Sequence, residues 1–393
     1  MKKFLRYKII LIFLLVIFAI PILTAMRHNV NVSNIENRTL APLPQYSNER
    51  LLNGQYFSEW ENYISDHIIG RDYLIKSYAL LNMKILGKHK INNIIIGKED
   101  TLLPFYTEEL SNNLEDYLNN LNAMTENMKN LQNHIKANGG EFYFVGLPGQ
   151  SSFFRSRYQN YFENKEGYFV ENENKMFNNL EKNNINYINM NEVFKKDQDN
   201  ENYLKTDHHF SFKGSYRTYV EIIDRLRNDL GLDIGKPLDI DELDIVTLDK
   251  PILGSRNRQL YFLHPTDEKV SIAYPKTPID YEKYTNGVLD PKLYYINNDE
   301  NPSYNIYMGG DQKEIIIDTN RENLPNLLIF GDSFTNALEP LLYYHFNETR
   351  ILDLRHYKEM NLYEYIDLHK PTVVLMIRDD LNYGNPEGNG KFQ

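Results

Sequence analysis

Five apolar runs separated by helix-like stretches limit what this chain can fold into. They are EFYFVGLP (141–148), INYINM (185–190), NLLIFGDS (326–333), RILDLR (350–355) and TVVLMIRD (372–379). Most are apolar on consecutive positions rather than alternate ones, the pattern of strands covered on both faces. Helical spacing lies between them near 176–183 and at 215–231, where SYRTYVEIIDRLRNDL runs up to Gly231. Strands alternating with helices predict a three-layer α/β domain with a parallel sheet. Upstream, Phe57 to Leu80 are spaced as one or two amphipathic helices. INNIIIGKEDTLL (91–103) has the form of a hairpin, and 108–138 that of a polar helix. The stretch 236–322, rich in Pro, Asp, Asn and Tyr, breaks the rhythm and is expected to be an inserted region of strands and long loops.

At the N-terminus Lys2, Lys3, Arg6 and Lys8 precede an uncharged, mostly apolar run from Ile9 to Met26. Its length suits one membrane-spanning helix, and the basic cluster keeps the tip in the cytoplasm. The expected organisation is a tip and anchor at 1–26, a polar stalk at 27–55 and a domain at 56–393. The protein would sit in the cell membrane as a single-pass chain with an extracellular body. The net charge of −11 argues against a nucleic-acid partner, which needs a basic face. With no cysteine there is no disulfide framework, no thiol nucleophile and no thiolate metal site. The thirty tyrosines could stack on sugars, but they accompany a general richness in Asn, Lys and Ile.

Open parallel sheets form their sites at the carboxyl ends of strands. NLLIFGDSFTNAL puts Gly331, Asp332 and Ser333 at such an end. The glycine permits a tight turn, and the serine opens the following helix, its backbone N–H facing a developing oxyanion. Serine is inert without a histidine base and an orienting carboxylate. YLKTDHHFSFKGSYRTY (203–219) supplies that pair as Asp207 and His209. In an extended loop both would face one side, and His208 would point away. A metal site on Asp207, His208 and His209 is the rival reading, but the early strands end without the Asp-x-Asp that a DHH phosphoesterase needs. No metal and no cofactor are therefore expected. Asn336, Gln150 in GLPGQSS, and Arg378 are candidates for oxyanion or substrate contacts, and His67, His345, His356 and His369 are read as structural.

These blocks resemble the signature of the DHHW family, with Phe210 where that name has tryptophan. The serine block is similar to that of the same group and of the alginate O-acetyltransferases of AlgX and AlgJ type. Further matches are IENRTLAPLP, ISDHIIGRDYLI, IIIGKEDTLL and YMGG (307–310), so the resemblance extends over about 34–380. It implies an SGNH-hydrolase-like domain with Ser333 as nucleophile, His209 as base and Asp207 as its orienting carboxylate. It also implies O-acetylation of an extracellular polysaccharide through an acyl-serine. Its expected partners are the polysaccharide acceptor, a membrane-bound acyltransferase that supplies acetyl groups, and a polysaccharide synthase complex. A polysaccharide acetyl esterase and a non-catalytic assembly protein are the alternatives.

Overall fold

The computed structural model describes residues 2–26, 30–33, 35–36, 38–107, 114–197 and 201–393; the side chains at 2–6, 9, 12, 16, 114 and 197 fall outside the described set. The chain forms two compact units. One holds the residues up to Asn92 together with Asn257–His264, and the other holds Asn93–Arg256 and Pro265–Gln393. The sequence boundary at 56 thus falls inside the first unit.

In the first unit, helix α1 covers Lys2–Met26 with Pro21 inside it. Among the described residues no helix is long and apolar enough to cross a membrane, and part of the expected anchor, at 9, 12 and 16, lies outside the described side chains. Helices α2 (Gln55–His67) and α3 (Arg71–Leu80) follow, joined at Gly70, whose φ of 79° suits a residue without Cβ. The expected stalk is tied down here. Arg38 bonds both oxygens of Asp66 at 2.8 and 2.5 Å, the backbone N–H of Ala41 bonds Asp66 at 2.9 Å, and Arg71 bonds Glu36 at 2.9 Å.

The second unit opens with the expected hairpin, β1 (Ile94–Ile96) antiparallel to β2 (Leu102–Pro104). Positions 108–113 of the expected polar helix lie outside the described residues, and helix α4 covers Leu114–Ala137. Then come β3 (Glu141–Leu147), α5 (Glu166–Lys182), β4 (Tyr187–Asn189) and α6 (Phe212–Leu230). The Ser211 hydroxyl caps α6 by accepting from the Gly214 N–H, and Gly231 closes it at φ 62°.

The irregular stretch holds a hairpin of β5 (Leu243–Thr247) and β6 (Ser271–Pro275), then β7 (Glu282–Thr285), β8 (Val288–Leu289) and β9 (Glu314–Asp318). The last elements are β10 (Leu327–Gly331), β11 (Glu348–Leu352), α7 (Leu362–His369) and β12 (Val373–Asp379).

The main sheet has the order β8-β7-β9-β11-β10-β12-β3-β4. The strands from β11 to β4 are parallel, whereas β9 runs antiparallel to β11, β7 to β9 and β8 to β7. The expectation of a wholly parallel sheet is corrected to a mixed one. The extra strands come from 236–322, so that stretch extends the sheet as well as forming loops. Strands are expected in that stretch, but short polar ones such as EKYT lack the apolar run that marks a central strand, so their place in the main sheet could not be read.

Side-chain alternation divides the core. Tyr143, Val145, Ile329, Leu375 and Ile377 pack on one face with Tyr219, Ile222, Ile223 and Leu226 of α6. Phe142, Phe144, Phe330, Val374 and Met376 pack on the other with Leu121, Met128 and Leu131 of α4 and with Met176 of α5 and Ile366 of α7. Both faces are covered, so the central strands had to be apolar throughout.

The carboxyl ends of β3, β10 and β12 therefore lie side by side. Gly331 pairs with Ile377, and Arg378 with Gly146. A Cβ on Gly331 would collide with the backbone carbonyl of Ile377. Gly331→Ala should consequently destabilise the protein by about 1–3 kcal/mol, the cost of overpacking against a backbone that cannot yield. Chemical denaturation of both forms checks this, and an unchanged midpoint would show that the strand end has slack.

Candidate active site

The Asp207–His209 segment is held by its backbone. An antiparallel bridge pairs Tyr203 with Phe210, and Leu204 N–H bonds His209 O at 3.1 Å. Glu268 accepts from the N–H groups of Lys205 and Thr206 at 2.5 and 2.9 Å and from the Thr206 hydroxyl at 2.7 Å. Gly254 sits against the Thr206 carbonyl, too close for a Cβ. Ser333 enters from β10 and opens a short 3₁₀ turn, Ser333–Ala337, where the sequence suggested a longer helix.

The structure brings the three expected residues into one line. Asp207 Oδ1 lies 2.6 Å from His209 Nδ1, and His209 Nε2 lies 2.6 Å from Ser333 Oγ. With Asp207 ionised, Nδ1 must carry the proton and donate it, leaving Nε2 to accept from the serine hydroxyl. The carboxylate also accepts the His209 N–H at 3.0 Å and the Ser255 N–H at 2.7 Å. Burial works against its charge, but the attraction and hydrogen bond of His209, with His208 and Ser255 adding, hold its pKa well below the ordinary 3.8. The imidazole of His209 is stacked on Tyr304, centroids 3.8 Å apart and planes 5° from parallel, with Phe334 edge-on at 5.2 Å. Such an array can take a proton from serine and return it while the ring stays in plane.

His208 does not point away. The segment is bent rather than extended, so strict alternation fails. Its ring lies 3.7 Å from that of His209, and its Nδ1 lies 2.6 Å from Ser255 Oγ. Its side chain is 40% accessible, at the mouth of the site. Burial of its polar edge, with His209 beside it, still favours the neutral ring. Asp207, His208 and His209 offer ligand atoms within 4.8 Å of one another. However, Asp207 Oδ1 and His209 Nδ1 are directed at each other, so a shared cation would have to break the bond that orients the imidazole.

The other candidates are each hydrogen-bonded within the protein. Gln150 Nε2 donates to Leu102 O and Leu204 O, both at 3.1 Å, and so anchors the strand leading to Asp207. Asn336 donates to Asp311 Oδ1 at 3.1 Å, beside a cavity of about 10 Å³ lined by Asp332 and Glu339. Arg378, 1% exposed, donates to Asn385 O at 2.9 Å, with its Nε 3.6 Å from Asp332 Oδ2. Among the structural histidines, His67 stacks on Tyr63, and His345 bonds Tyr219 and the Ile234 carbonyl. Sequence reasoning missed Ser255, Glu268 and Tyr304, which lie 46 to 95 positions from His209 with no motif around them.

The same strand ends gather acids. Burial pushes Asp332 up to about 7 against the pull of Arg378, with Asp379 adding to the rise. Asp380 is pushed up to about 7 by burial and by Asp379, and Glu339 to about 7 by burial. A raised carboxyl keeps its proton in the folded state after the unfolded chain has lost it. Its stabilisation is complete below the ordinary values of 3.8 and 4.5 and is lost as pH rises through about 7. Asp207 acts oppositely, losing its contribution as pH falls below the ordinary value toward its own lowered one. Scanning calorimetry should therefore give a higher melting temperature at about pH 5.5 than at about pH 8. Asp380→Asn should narrow that gap, and a wild-type melting temperature that rises between the two pH values would contradict the assignment.

Residues 94–240 match the family model described as the SGNH hydrolase-like domain of the acetyltransferase AlgX. That match includes Asp207 and His209 and ends before Ser333. Among solved structures, Bacillus cereus PatB1 superposes with a TM-score of 0.63 at 27% identity over 76% of this chain and 99% of that chain. PatB1 with a sulfonyl adduct gives 0.61 at 24% identity over the same shares. A DHHW family protein from Eubacterium siraeum gives 0.54 at 18% identity over 75% and 93%, a likeness of fold. No curated protein matches the chain. Residues 94–240 thus resemble the SGNH hydrolase-like domain of the acetyltransferase AlgX, in a chain whose fold is similar to that of PatB1 and of a DHHW family protein.

Proposed function

We propose that this protein is an extracytoplasmic O-acyltransferase that carries acetyl groups onto hydroxyls of a cell-surface polysaccharide. The observation that carries this reading is the unbroken hydrogen-bonded line Asp207–His209–Ser333, closed at 2.6 Å on each side of the imidazole. An acetyltransferase family domain over 94–240 supports the acyl chemistry.

Ser333 Oγ attacks the carbonyl carbon of the donor ester as His209 Nε2 takes the hydroxyl proton. The tetrahedral adduct collapses, and the proton passes from His209 to the departing oxygen, leaving an acetyl ester on Ser333. An acceptor hydroxyl then gives its proton to His209, attacks that ester and leaves acetylated, while Ser333 recovers the proton. Asp207 supports the imidazolium in both halves, and the Tyr304 stack resists rotation of the ring. The Ser333 N–H, opening the 3₁₀ turn, is the donor we assign to the oxyanion.

The reading extends to the setting. Residues 9–26 would anchor the chain in the cell membrane with the body outside. A separate membrane-bound acyltransferase would deliver the acetyl group beside a polysaccharide synthase complex. Hydrolysis is the second reading, because the same hydrogen-bonded line would activate water as it would an acceptor hydroxyl.

Two outcomes are expected. Exposed to p-nitrophenyl acetate, the wild type should gain one acetyl mass, which Ser333→Ala and His209→Ala should both lose, since members of such a set act as a unit. Asp207→Ala should lower the rate about 10⁴-fold. His208→Ala should fall between these and the wild type, because its ring packs on His209. An adduct persisting in Ser333→Ala would sink the assignment. For topology, protease added to intact cells should degrade the body and spare the N-terminus, whereas a released form beginning near residue 27 would exclude the anchor.

A further inference from the structure

We infer that the groove beside the Tyr304 turn is the seat of the acceptor glycan, a neutral, hydroxyl-rich chain; this rests on the acyltransferase reading above. The groove has a volume of about 920 Å³ and is built wholly from the second unit, between residues 246–250 and 295–312. That volume lies at the upper end of ordinary ligand sites.

Its position connects it to the chemistry. The 3₁₀ turn Tyr304–Ile306 faces two ways. The Tyr304 ring lies flat on the His209 imidazole, while Asn305 and Ile306 of the same turn line the groove. The groove and the imidazole therefore share one turn; neither His209 nor Ser333 lines the groove itself, so the acceptor chain would have to extend past the turn to bring a hydroxyl to the histidine. The turn is itself braced, since Tyr295 N–H bonds Ile306 O at 2.9 Å and Met308 N–H bonds Leu293 O at 2.9 Å.

The lining selects the ligand class. Asn298 and Asn305 are exposed, and their amides make no hydrogen bond among the described residues. Each offers one acceptor and two donor hydrogens, the complement of sugar hydroxyls, which both donate and accept. The wall carries Tyr295, whose hydroxyl is bound by Asp290 and whose ring is packed against Gly309, giving a fixed aromatic surface. The charged residues are Asp249, Glu300 and a single lysine, Lys250, a balance that disfavours a phosphorylated or otherwise anionic ligand.

The test separates binding from chemistry. Acetyl-adduct formation on the wild type from p-nitrophenyl acetate needs no acceptor, so its failure would count against the triad and not against the groove. Binding is then measured by calorimetry on Ser333→Ala, using neutral oligosaccharides released from the producing cells' own surface polysaccharide. The inference expects Asn298→Ala with Asn305→Ala, in the Ser333→Ala background, to weaken binding about tenfold or more. Asn298→Trp, which fills the groove from an exposed position, should abolish it. Circular dichroism of each variant confirms folding. No binding to Ser333→Ala, or equal binding by all the folded variants, would overturn the inference.

Discussion

The carboxylate of Asp207 is the interaction on which the site depends. It is 2% exposed, and burying a charge is costly unless each lone pair finds a donor. The donors come from three directions, the backbone N–H of Ser255, the backbone N–H of His209 and the His209 ring. Losing the ring would leave the charge underpaired, and losing the charge would free the ring to take the other tautomer. Much of the loop around it exists to hold that arrangement. Glu268 fixes Lys205 and Thr206, Gln150 fixes Leu204, and Gly254 lets a second loop approach the Thr206 carbonyl.

The sheet supplies the other half. Because β3, β12, β10 and β11 run in parallel, their carboxyl ends share one edge, and the loops that leave them meet. Ser333 gains its position from Gly331, which passes too close to Ile377 for any larger residue. The crowding has an electrostatic consequence, since Asp379 and Asp380 are buried beside the partly buried Asp332 and the pKa values of all three rise. A site assembled at such an edge gains proximity at the cost of stability near and above neutral pH.

Much was legible from residue order alone. Central strands between two helical layers must be apolar on both faces, so they announce themselves as continuous runs. A serine after a strand-ending glycine, and Asp-x-His ahead of a capped helix, are local features, because each depends on neighbours within a few positions. That is why Ser333, His209 and Asp207 could be named together, although 124 positions separate His209 from Ser333.

Only the tertiary structure decided the rest, and the reason is range. Strands β7 and β8 hold four and two residues, too few for a pattern to show, and the isoleucines of β9 (EIIID) do not reveal which way that strand runs. The inward turn of His208 follows from a bend that alternation arguments cannot foresee. Ser255, Glu268 and Tyr304 act through long-range contacts, a backbone N–H and hydroxyl, a carboxylate clamp and a ring face, none of which needs a neighbouring residue of any particular type. Local chemistry determined which residues could react. Folding determined what holds them in line.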